Sequence, residues 1–357
     1  MPSRDSSDPL GHALLRSRLA AIPEILAELL RTPLPTPAER TLDAQRFVVT
    51  GTGSSEAHAR YLVHLLNRAA DRAAEYIPLS GFGSLPHRFG RGRVLVVVSQ
   101  GLSPNAQVAI DRSGDFDHTI LFTSTTAEGA AAAGKHARAQ LVRRLEKAGV
   151  EFIRSPLEEE YSTLLRVVGP MAVYATMHRF VRTLAPESLP PLTPATLAPL
   201  LTARPDEALH DVFAERADAF RRGFYLLAAS PLCEYAQNLA YKFLEGVFWS
   251  APVIWDYLQF AHGPFQEVTL QPRPVVMLVT PGELDSELAE RTRAVLDAAE
   301  VPHIAIASRS RSPLAIFEYE AIFNEIVMRL IERFDIDQRN WPSKGRDDPL
   351  YGFARID

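Results

Sequence analysis

The sequence predicts an α/β protein with two doubly wound parallel-sheet domains, an N-terminal helix and an irregular C-terminal tail. Three observations predict this fold: continuous apolar runs typical of strands buried on both faces, helices that alternate with those runs, and a proline-rich segment after which the pattern begins again. The chain has 357 residues, which is enough for two domains of medium size.

The first α/β half begins with the strand "RFVVT" (46–50), which leads into "GTGSSE" and a helix. The strands "AEYIPLS", "RVLVVVSQ" and "HTILFTS" continue the sheet, and a helix that starts at Ala106 lies between the last two. Two long helical stretches follow at roughly 128–148 and 160–184. This order of strand and helix predicts a doubly wound layer.

The second half repeats the pattern. The apolar runs "GFYLLAAS", "PVVMLVTP" and "PHIAIAS" predict strands, and "CEYAQNLAYKFLEGVFW" and "LDSELAERTRAVLDAAE" predict the helices between them. A final helix covers about 314–334. The similar size of the two halves suggests an internal duplication.

The proline-rich segments and the limits of the strand and helix patterns predict five segments. They are an N-terminal helix (12–31) and linker within 1–45, a first domain at 46–184, a proline-rich linker at 185–205, a second domain at 206–334 and a tail at 335–357.

Composition excludes several classes of protein. Hydrophobic residues make up 46% of the chain and charged residues 23%, and the net charge of -5 does not indicate a nucleic-acid-binding protein. With Cys233 as the one cysteine, neither a disulfide nor a cysteine metal site forms within the chain. The N-terminus lacks the apolar core of a signal peptide, and the sequence has no run of about 18 apolar residues that would predict a membrane span. A soluble cytoplasmic protein is therefore expected.

The turn "TGTGSSEA" joins the first strand to a helix and is rich in glycine. In such a turn, backbone N–H groups and the helix dipole attract an anion, and Ser54 and Ser55 add hydroxyl donors beside Gly53. Glu56 stands where a dinucleotide fingerprint has its third glycine, and its carboxylate would oppose a pyrophosphate. The turn therefore favours a smaller phosphate or a sugar over NAD, with a tight serine-capped turn as the structural alternative.

Polar side chains also follow the most apolar strand. Ser99, Gln100, Ser103 and Asn105 lie in "SQGLSPN" at its carboxyl end, where open parallel sheets bind ligands. Their uncharged hydroxyl and amide groups suit a phosphate or sugar hydroxyls, and "TSTTAEG" after the next strand adds further hydroxyls on the same edge. The alternative is a turn that only caps the next helix, with Pro104 at its first position.

A lysine and a carboxylate lie three residues apart on the long helix of the second half. Lys242 and Glu245 would form a surface ion pair worth about 0.2–0.5 kcal/mol if both were exposed. The apolar flanks in "LAYKFLEGVFW" argue against full exposure, and a buried carboxylate has a raised pKa and can act as a general base. His262 follows in "FAHGPF", either as a turn residue or as an acid–base partner.

These motifs together resemble the double sugar isomerase (SIS) family. The resemblance rests on the Gly-x-Gly-x-Ser turn, the "SQ" strand end, the "E…HGP" pattern and the tail, and it covers nearly the whole chain from residue 12. The sequence resembles in particular the isomerase half of glucosamine-6-phosphate synthase, and fructosamine deglycases. The resemblance implies two SIS domains of flavodoxin-like fold and a homodimer with composite active sites.

The resemblance also implies roles for individual residues. Ser55 corresponds to the phosphate-binding serine of the first turn, and Ser99 and Gln100 correspond to the start of the family's "SQSGET" loop. Glu245 resembles the base that moves a proton between C1 and C2 of an open-chain sugar. His262 resembles the ring-opening histidine, which the neighbouring subunit contributes in the family.

The tail "DIDQRNWPSK" resembles the family's "DVDQPRNLAK". This similarity implies that Lys344 forms a Schiff base with an open-chain ketose, since a desolvated lysine is a competent nucleophile.

The sequence departs from the family at several points. "SQGLSPN" lacks the Ser-Gly that follows "SQ" in relatives, and Gln259 and Ala261 stand where relatives often have a glutamate and a basic residue. The first turn of the second half, "AASPLCE", has no glycine, so only the first half is expected to bind an anion. The chain has no N-terminal cysteine and no glutaminase domain. We therefore do not expect this chain by itself to use glutamine for the synthesis of glucosamine-6-phosphate.

Two functions of different classes follow. The first is an isomerase or deglycase that acts on a phosphorylated or otherwise modified sugar, with Glu245, His262 and Lys344 as catalytic residues. The second is a non-catalytic sensor or partner module that binds a sugar phosphate, which the altered loops favour. A nucleotide-dependent oxidoreductase is disfavoured by Glu56, and we expect no cofactor, no metal and no nucleic-acid or membrane partner.

Overall fold

The computed structural model describes residues 8–155, 160–346 and 348–351, which belong to two compact units. The first unit consists mainly of residues 24–155 and 169–193, and the second mainly of residues 8–23, 161–168 and 194–341. The units are grouped by contacts rather than by sequence order, and the predicted segment boundaries stay a prediction.

Helices account for much of both units. The helices up to residue 184 are His12–Arg31 (α1), Glu39–Leu42 (α2), Ser54–Arg68 (α3), Gln107–Ile110 (α4), Ala127–Ala132 (α5), His136–Lys147 (α6) and Val168–Leu184 (α7). Those after it are Pro194–Leu201 (α8), Glu207–Glu215 (α9), Ala217–Arg221 (α10), Leu232–Tyr235 (α11), Gln237–Val247 (α12), Tyr257–Phe260 (α13), Pro264–Leu270 (α14), Glu283–Ala298 (α15), Ala315–Arg333 (α16) and Asp348–Tyr351 (α17). Short 3-10 helices cover Leu79–Ser84, Pro104–Ala106 and Ser113–Asp115.

The first unit contains a parallel sheet of five strands. They are Arg46–Thr50 (β1), Ala73–Tyr76 (β2), Val94–Val98 (β3), His118–Thr123 (β4) and Glu151–Arg154 (β5). Their order, β2-β1-β3-β4-β5, is the flavodoxin-like order of a doubly wound fold.

The second unit contains a parallel sheet of four strands. They are Tyr225–Ala228 (β6), Val253–Asp256 (β7), Val275–Val279 (β8) and His303–Ala307 (β9). The order β7-β6-β8-β9 repeats the first four positions of the other sheet, with β6 in the place of β1. The two units therefore share one topology, as the repeated sequence pattern suggested.

Burial explains why the apolar runs form strands. All five residues of β3 are buried, as expected for a central parallel strand with helices on both faces. On one face, Leu95 and Val97 of β3 belong to a hydrophobic cluster with Ile110 of α4 and Leu141 of α6. The helices α4 and α6 thus cover the same face of the first sheet, beside its carboxyl end.

The predicted fold class is confirmed, but the sequence analysis missed two strands. β5 and β7 are four residues long and lie at sheet edges. Both carry polar or partly exposed residues, so neither produces the continuous apolar run by which the inner strands were recognised.

The two long helices predicted in the first half also differ from the structure. The first is divided into α5 and α6, because Gly134 has a φ of +73° that a continuous helix does not allow. The second, predicted from residue 160, begins at Val168. In the described part of the chain, no helix combines the length and apolarity that a bilayer crossing requires.

Candidate functional site

The first turn of the first unit is shaped by two glycines. A Cβ on Gly51 would lie 2.4 Å from the carbonyl oxygen of Ser55, so only glycine allows the chain to pass this close to the helix start. Gly53 has a φ of +60° and leads directly into α3, whose first residues are Ser54 and Ser55. Both serines are half-buried and lie at a helix N-terminus, where unpaired N–H groups attract an anion.

The carboxylate of Glu56 is paired within the same helix. It lies 2.9 Å from the guanidinium of Arg60, which stacks 4.2 Å from the ring centre of Tyr76. The Tyr76 hydroxyl in turn donates to the carbonyl oxygen of Gly51 at 3.0 Å. Since Arg60 balances its charge, Glu56 opposes an anion less than the sequence suggested, and its weight as evidence against a dinucleotide is reduced.

The "SQGLSPN" loop contains a left-handed turn. Leu102 has a φ of +50° and is 1% exposed. Leucine is strained in this conformation, and burial of its side chain in the hydrophobic cluster between sheet and helices offsets the strain. The turn is closed by the Ser103 N–H, which donates to the Ser99 hydroxyl at 3.1 Å.

The hydroxyls predicted on the neighbouring loop are directed to one backbone oxygen. The carbonyl of Gln100 accepts hydrogen bonds from the side chains of Thr123, Ser124 and Thr125 at 3.0, 2.9 and 3.3 Å. These three donors stabilise the loop rather than face a ligand. The Gln100 amide itself packs against Gly169, where a Cβ would lie 2.2 Å from its nitrogen.

Ser103 and Asn105 remain half-buried at the start of the short helix after this loop. The structure therefore places all the predicted binding residues (Gly53, Ser54, Ser55, Ser99, Gln100, Ser103 and Asn105) in the two loops that follow β1 and β3. β1 and β3 are adjacent and parallel, so the loops share one edge of the sheet. Their role in binding stays a prediction.

Glu245 lies near the end of α12 and is half-buried. Burial raises the pKa of its carboxyl group, and the positive charges of Arg166 and Lys242 act in the opposite direction. Within the described residues, its carboxylate makes no hydrogen bond or ion pair. Such a carboxylate is suited to accept and return a proton.

Lys242 is not a surface residue and does not pair with Glu245. It is 1% exposed, and its Nζ lies 2.7 Å from a carboxylate oxygen of Glu320 and donates to Asn324 at 2.7 Å. Asn238 donates to the other oxygen of Glu320 at 2.6 Å. The alternative of a surface ion pair between Lys242 and Glu245, which the apolar flanks disfavoured, does not hold, because α16 covers the lysine and supplies a buried partner.

The end of α12 is held by a residue of the tail. Gln338 is fully buried, and its amide nitrogen donates to the carbonyls of Glu245 and Gly246 at 3.1 and 2.7 Å. Its amide oxygen accepts the N–H of Leu165 at 2.9 Å. Gln338 thus satisfies carbonyls that a helix end leaves unpaired, and it fixes the backbone that carries Glu245.

His262 lies in the tight turn between α13 and α14. Its side chain is exposed, and its backbone N–H donates to the backbone carbonyl of Gln259 at 2.9 Å. Gly263 has a φ of +119°, and Pro264 begins α14. The turn therefore holds the imidazole at the surface of the second unit, and in the described chain no hydrogen bond joins it to Glu245.

Lys344 lies in an exposed turn before α17 and groups with the first unit. The convergence of Lys344, Glu245 and His262 on one sugar stays a prediction from the family resemblance. Sequence reasoning missed Arg166 and Gln338. Gln338 stands in the "DIDQ" motif and could have been found there, whereas Arg166 has no local signal because it influences Glu245 from a distant segment.

Among the residues that the structure describes, no group of three or more histidine, cysteine, aspartate and glutamate side chains is arranged to hold a metal ion.

No protein-family profile matches the sequence, and no curated protein matches it. Solved structures do match its fold. The C-terminal domain of glucosamine-fructose-6-phosphate aminotransferase from Francisella tularensis has a TM-score of 0.67 at 11% identity, over 91% of this chain and 98% of that chain.

Two further structures match over a similar length. Tagatose-6-phosphate ketose/aldose isomerase from Escherichia coli has a TM-score of 0.64 at 16% identity, over 96% of this chain and 98% of that chain. Glucosamine-6-phosphate deaminase from Thermotoga maritima also has a TM-score of 0.64, at 15% identity, over 92% of this chain and 97% of that chain. The resemblance to double sugar isomerases is thus confirmed at the level of the fold.

Proposed function

We propose that this protein, which has the fold of double sugar isomerases, is an aldose–ketose isomerase or a deglycase for an open-chain phosphorylated sugar. The observation that carries the proposal is Glu245, a half-buried carboxyl group with a raised pKa and no hydrogen-bond partner within the described chain. The E. coli structure with the same fold is a tagatose-6-phosphate ketose/aldose isomerase. That chemistry needs one group able to take and return a proton.

In the proposed isomerisation, the Glu245 carboxylate takes the proton from C2 of the open-chain aldose. The C2 hydroxyl proton passes to the oxygen on C1, which leaves an enediolate with its negative charge on the C2 oxygen. The protonated Glu245 then returns its proton to C1 to give the ketose. Arg166 and Lys242 support this cycle, because their charges counteract burial and keep the ionised carboxylate accessible.

The family resemblance supports roles for the other predicted site residues. The N–H and hydroxyl groups of the turn at 53–55, with Ser99 and Gln100, hold the phosphate. The Lys344 amine forms a Schiff base with the carbonyl carbon of the open-chain ketose and releases water, and hydrolysis of the Schiff base frees the sugar again. His262 opens the sugar ring in the site of the partner subunit, and its exposed position in a rigid turn suits that task.

Glu245→Gln tests the mechanism directly. We expect turnover of a sugar phosphate to fall by about 100-fold or more, as for loss of a general base, while binding persists. The measurement is NMR of substrate and product for a panel of sugar phosphates, with binding followed by thermal shift. Glu290→Gln, an exposed carboxylate on α15, is the matched control. Activity of Glu245→Gln equal to that of the control would remove Glu245 from the mechanism.

Mixing two inactive variants tests the composite site. If His262 acts in the partner's site, co-refolded Glu245→Gln and His262→Ala subunits regain up to about a quarter of wild-type activity, because each heterodimer has one complete site. Each variant is assayed alone under the same conditions. Activity that stays absent in mixtures shown by mass spectrometry to contain heterodimers contradicts the composite site.

A non-catalytic sensor for a sugar phosphate is the second candidate. It is favoured by the loop hydroxyls of residues 123–125, which donate to Gln100 instead of remaining available to a ligand. In this case a sugar phosphate that stabilises the protein in a thermal shift assay is recovered unchanged after long incubation. Product formation that depends on Glu245 rejects the sensor.

A further inference from the structure

A cavity on the first unit borders the "SQGLSPN" loop at Leu102 and Pro104 and is lined mainly by α6 and the residues just before it. It has a volume of about 960 Å³ and runs between α4 and α6. Its lining includes neither the turn at 53–55 nor Ser99 and Gln100. A cavity of this size accommodates a ligand as large as a nucleotide.

The groove is basic. Lys135, Arg138 and Arg144 line it together with His136, and none of the described lining residues is an aspartate or a glutamate. The guanidinium groups of Arg138 and Arg144 make no ion pair or hydrogen bond with any residue that the structure describes. Two such guanidinium groups in one concave surface offer planar sets of donors that suit a phosphate or a carboxylate, in a chain whose net charge is -5.

The geometry of α6 sets the spacing of the positive charges. Arg138 and Arg144 are six residues apart on the helix, or about 9 Å along its axis. Lys135 and His136 stand at the helix start, where no side chain caps the N-terminal N–H groups. The helix dipole adds to their attraction for a negative charge at that end. A ligand that contacts both the start of α6 and Arg144 near its end therefore carries more than one negative group.

The rest of the lining fits the uncharged part of such a ligand. Gln107 of α4 and Gln140 of α6 supply amide donors and acceptors. We propose that the groove between α4 and α6 is a binding site for a small molecule with several phosphate groups, of the size of a nucleoside polyphosphate. Its lining contains neither Glu245 nor the turn at 53–55, and the proposal does not rest on the proposed reaction.

Calorimetric titration with ATP and with pyrophosphate, both free of divalent cations, tests the site. Wild-type protein is expected to bind both, more weakly as salt rises. Each of Arg138→Gln and Arg144→Gln is expected to weaken binding by about tenfold, as for one lost charge-assisted hydrogen bond, and the double variant by about 100-fold. Glutamine retains the helix propensity of arginine, so α6 is expected to fold in each variant.

The double variant Arg143→Gln/Lys147→Gln is the matched control. It removes the same charge from the same helix, but its exposed positions do not line the groove. It is expected to bind ATP as the wild type does, and so is Ser55→Ala. The proposal is overturned if wild-type protein binds neither ATP nor pyrophosphate at millimolar concentration, or if the groove variants bind no more weakly than the control.

The test separates this site from the proposed enzyme activity. Loss of ATP binding in the Arg138 and Arg144 variants, with sugar-phosphate turnover retained, supports two distinct sites. If Ser55→Ala loses ATP binding while the groove variants retain it, ATP binds at the predicted sugar site and the proposal of a groove site is rejected. If circular dichroism shows that the Arg138 variants do not fold, the affinity of Arg144→Gln for ATP tests the proposal by itself, because Arg144 is at an exposed position.

Discussion

The two units share a strand order but use the carboxyl ends of their strands differently. In the second unit, a carboxylate on the following helix accepts hydrogen bonds from the loop after each of β6, β8 and β9. Ser230 donates to Glu234 at 2.6 Å, and Thr280 donates to Asp285. After β9, Glu318 accepts the N–H groups of residues 309 and 310 at 3.0 and 2.8 Å.

In the first unit, the corresponding loops contain glycine, serine and glutamine, and Glu56 is paired with Arg60. In the second unit, loop donors that could bind an anion therefore already donate to carboxylates of the same unit. An anion site is therefore expected in the first unit alone, as the lack of glycine in "AASPLCE" suggested.

The polar groups of the second unit lie deeper. Lys242, Glu320, Asn238 and Asn324 form a connected network between α12 and α16 that is almost completely buried. Such a network orients α12, which carries Glu245. The first unit thus leaves loop donors at the carboxyl ends of β1 and β3, whereas the second unit holds α12 rigidly through buried polar contacts.

Breaking the buried pair is expected to have the largest effect on stability. Lys242→Met leaves the carboxylate of Glu320 buried without its cation, which costs about 3–5 kcal/mol of the free energy of unfolding. Urea denaturation followed by tryptophan fluorescence measures this loss, since Trp249, Trp255 and Trp341 all belong to the second unit.

Lys147→Met, an exposed lysine of α6, is the control for this substitution and should change stability by no more than about 0.5 kcal/mol. The double variant Lys242→Met/Glu320→Met should recover part of the loss, because no unpaired charge remains. Equal stability of Lys242→Met and the control would show that the network does not support the second unit.

Gly51→Ala tests the binding edge of the first unit and is expected to have a smaller effect. The added Cβ would lie 2.4 Å from the Ser55 carbonyl oxygen, so the turn must shift, at a cost of about 1–3 kcal/mol. Thermal unfolding by circular dichroism measures the cost, and the displaced turn should also weaken binding of a sugar phosphate. Gly114→Ala, where a Cβ meets nothing within 4 Å, is the control. Similar binding by both variants would exclude the first turn from the site.

The pH dependence of stability tests the burial of Glu245 and is the smallest expected effect. Because its pKa is raised above 4.5 in the folded protein, the native state holds this proton more tightly than the unfolded state. The resulting stabilisation is complete below pH 4.5 and is lost as the pH rises through the folded pKa. Glu245→Gln should therefore gain stability relative to wild type as the pH rises from about 4 to 8. Parallel stability curves for the two proteins would contradict the raised pKa.

Local pattern was enough to predict the fold class, the inner strands and the glycine turn. β3 and β8 consist of apolar residues because helices cover both faces, and that burial is visible in any short window of sequence. The edge strands β5 and β7 lack this signal. Their place in the sheet depends on pairing with strands that are distant in sequence.

The sequence by itself determined the two α/β halves, the anion-favouring turn at 53–55 and the position of Glu245 on a partly apolar helix. Only the tertiary structure decided the partner of Lys242, the support of α12 by Gln338 and the basic groove along α6. The physical reason is that periodicity and turn chemistry act over a few residues. The partner of a buried charge or the lining of a cavity is set by segments that meet only after the chain has folded.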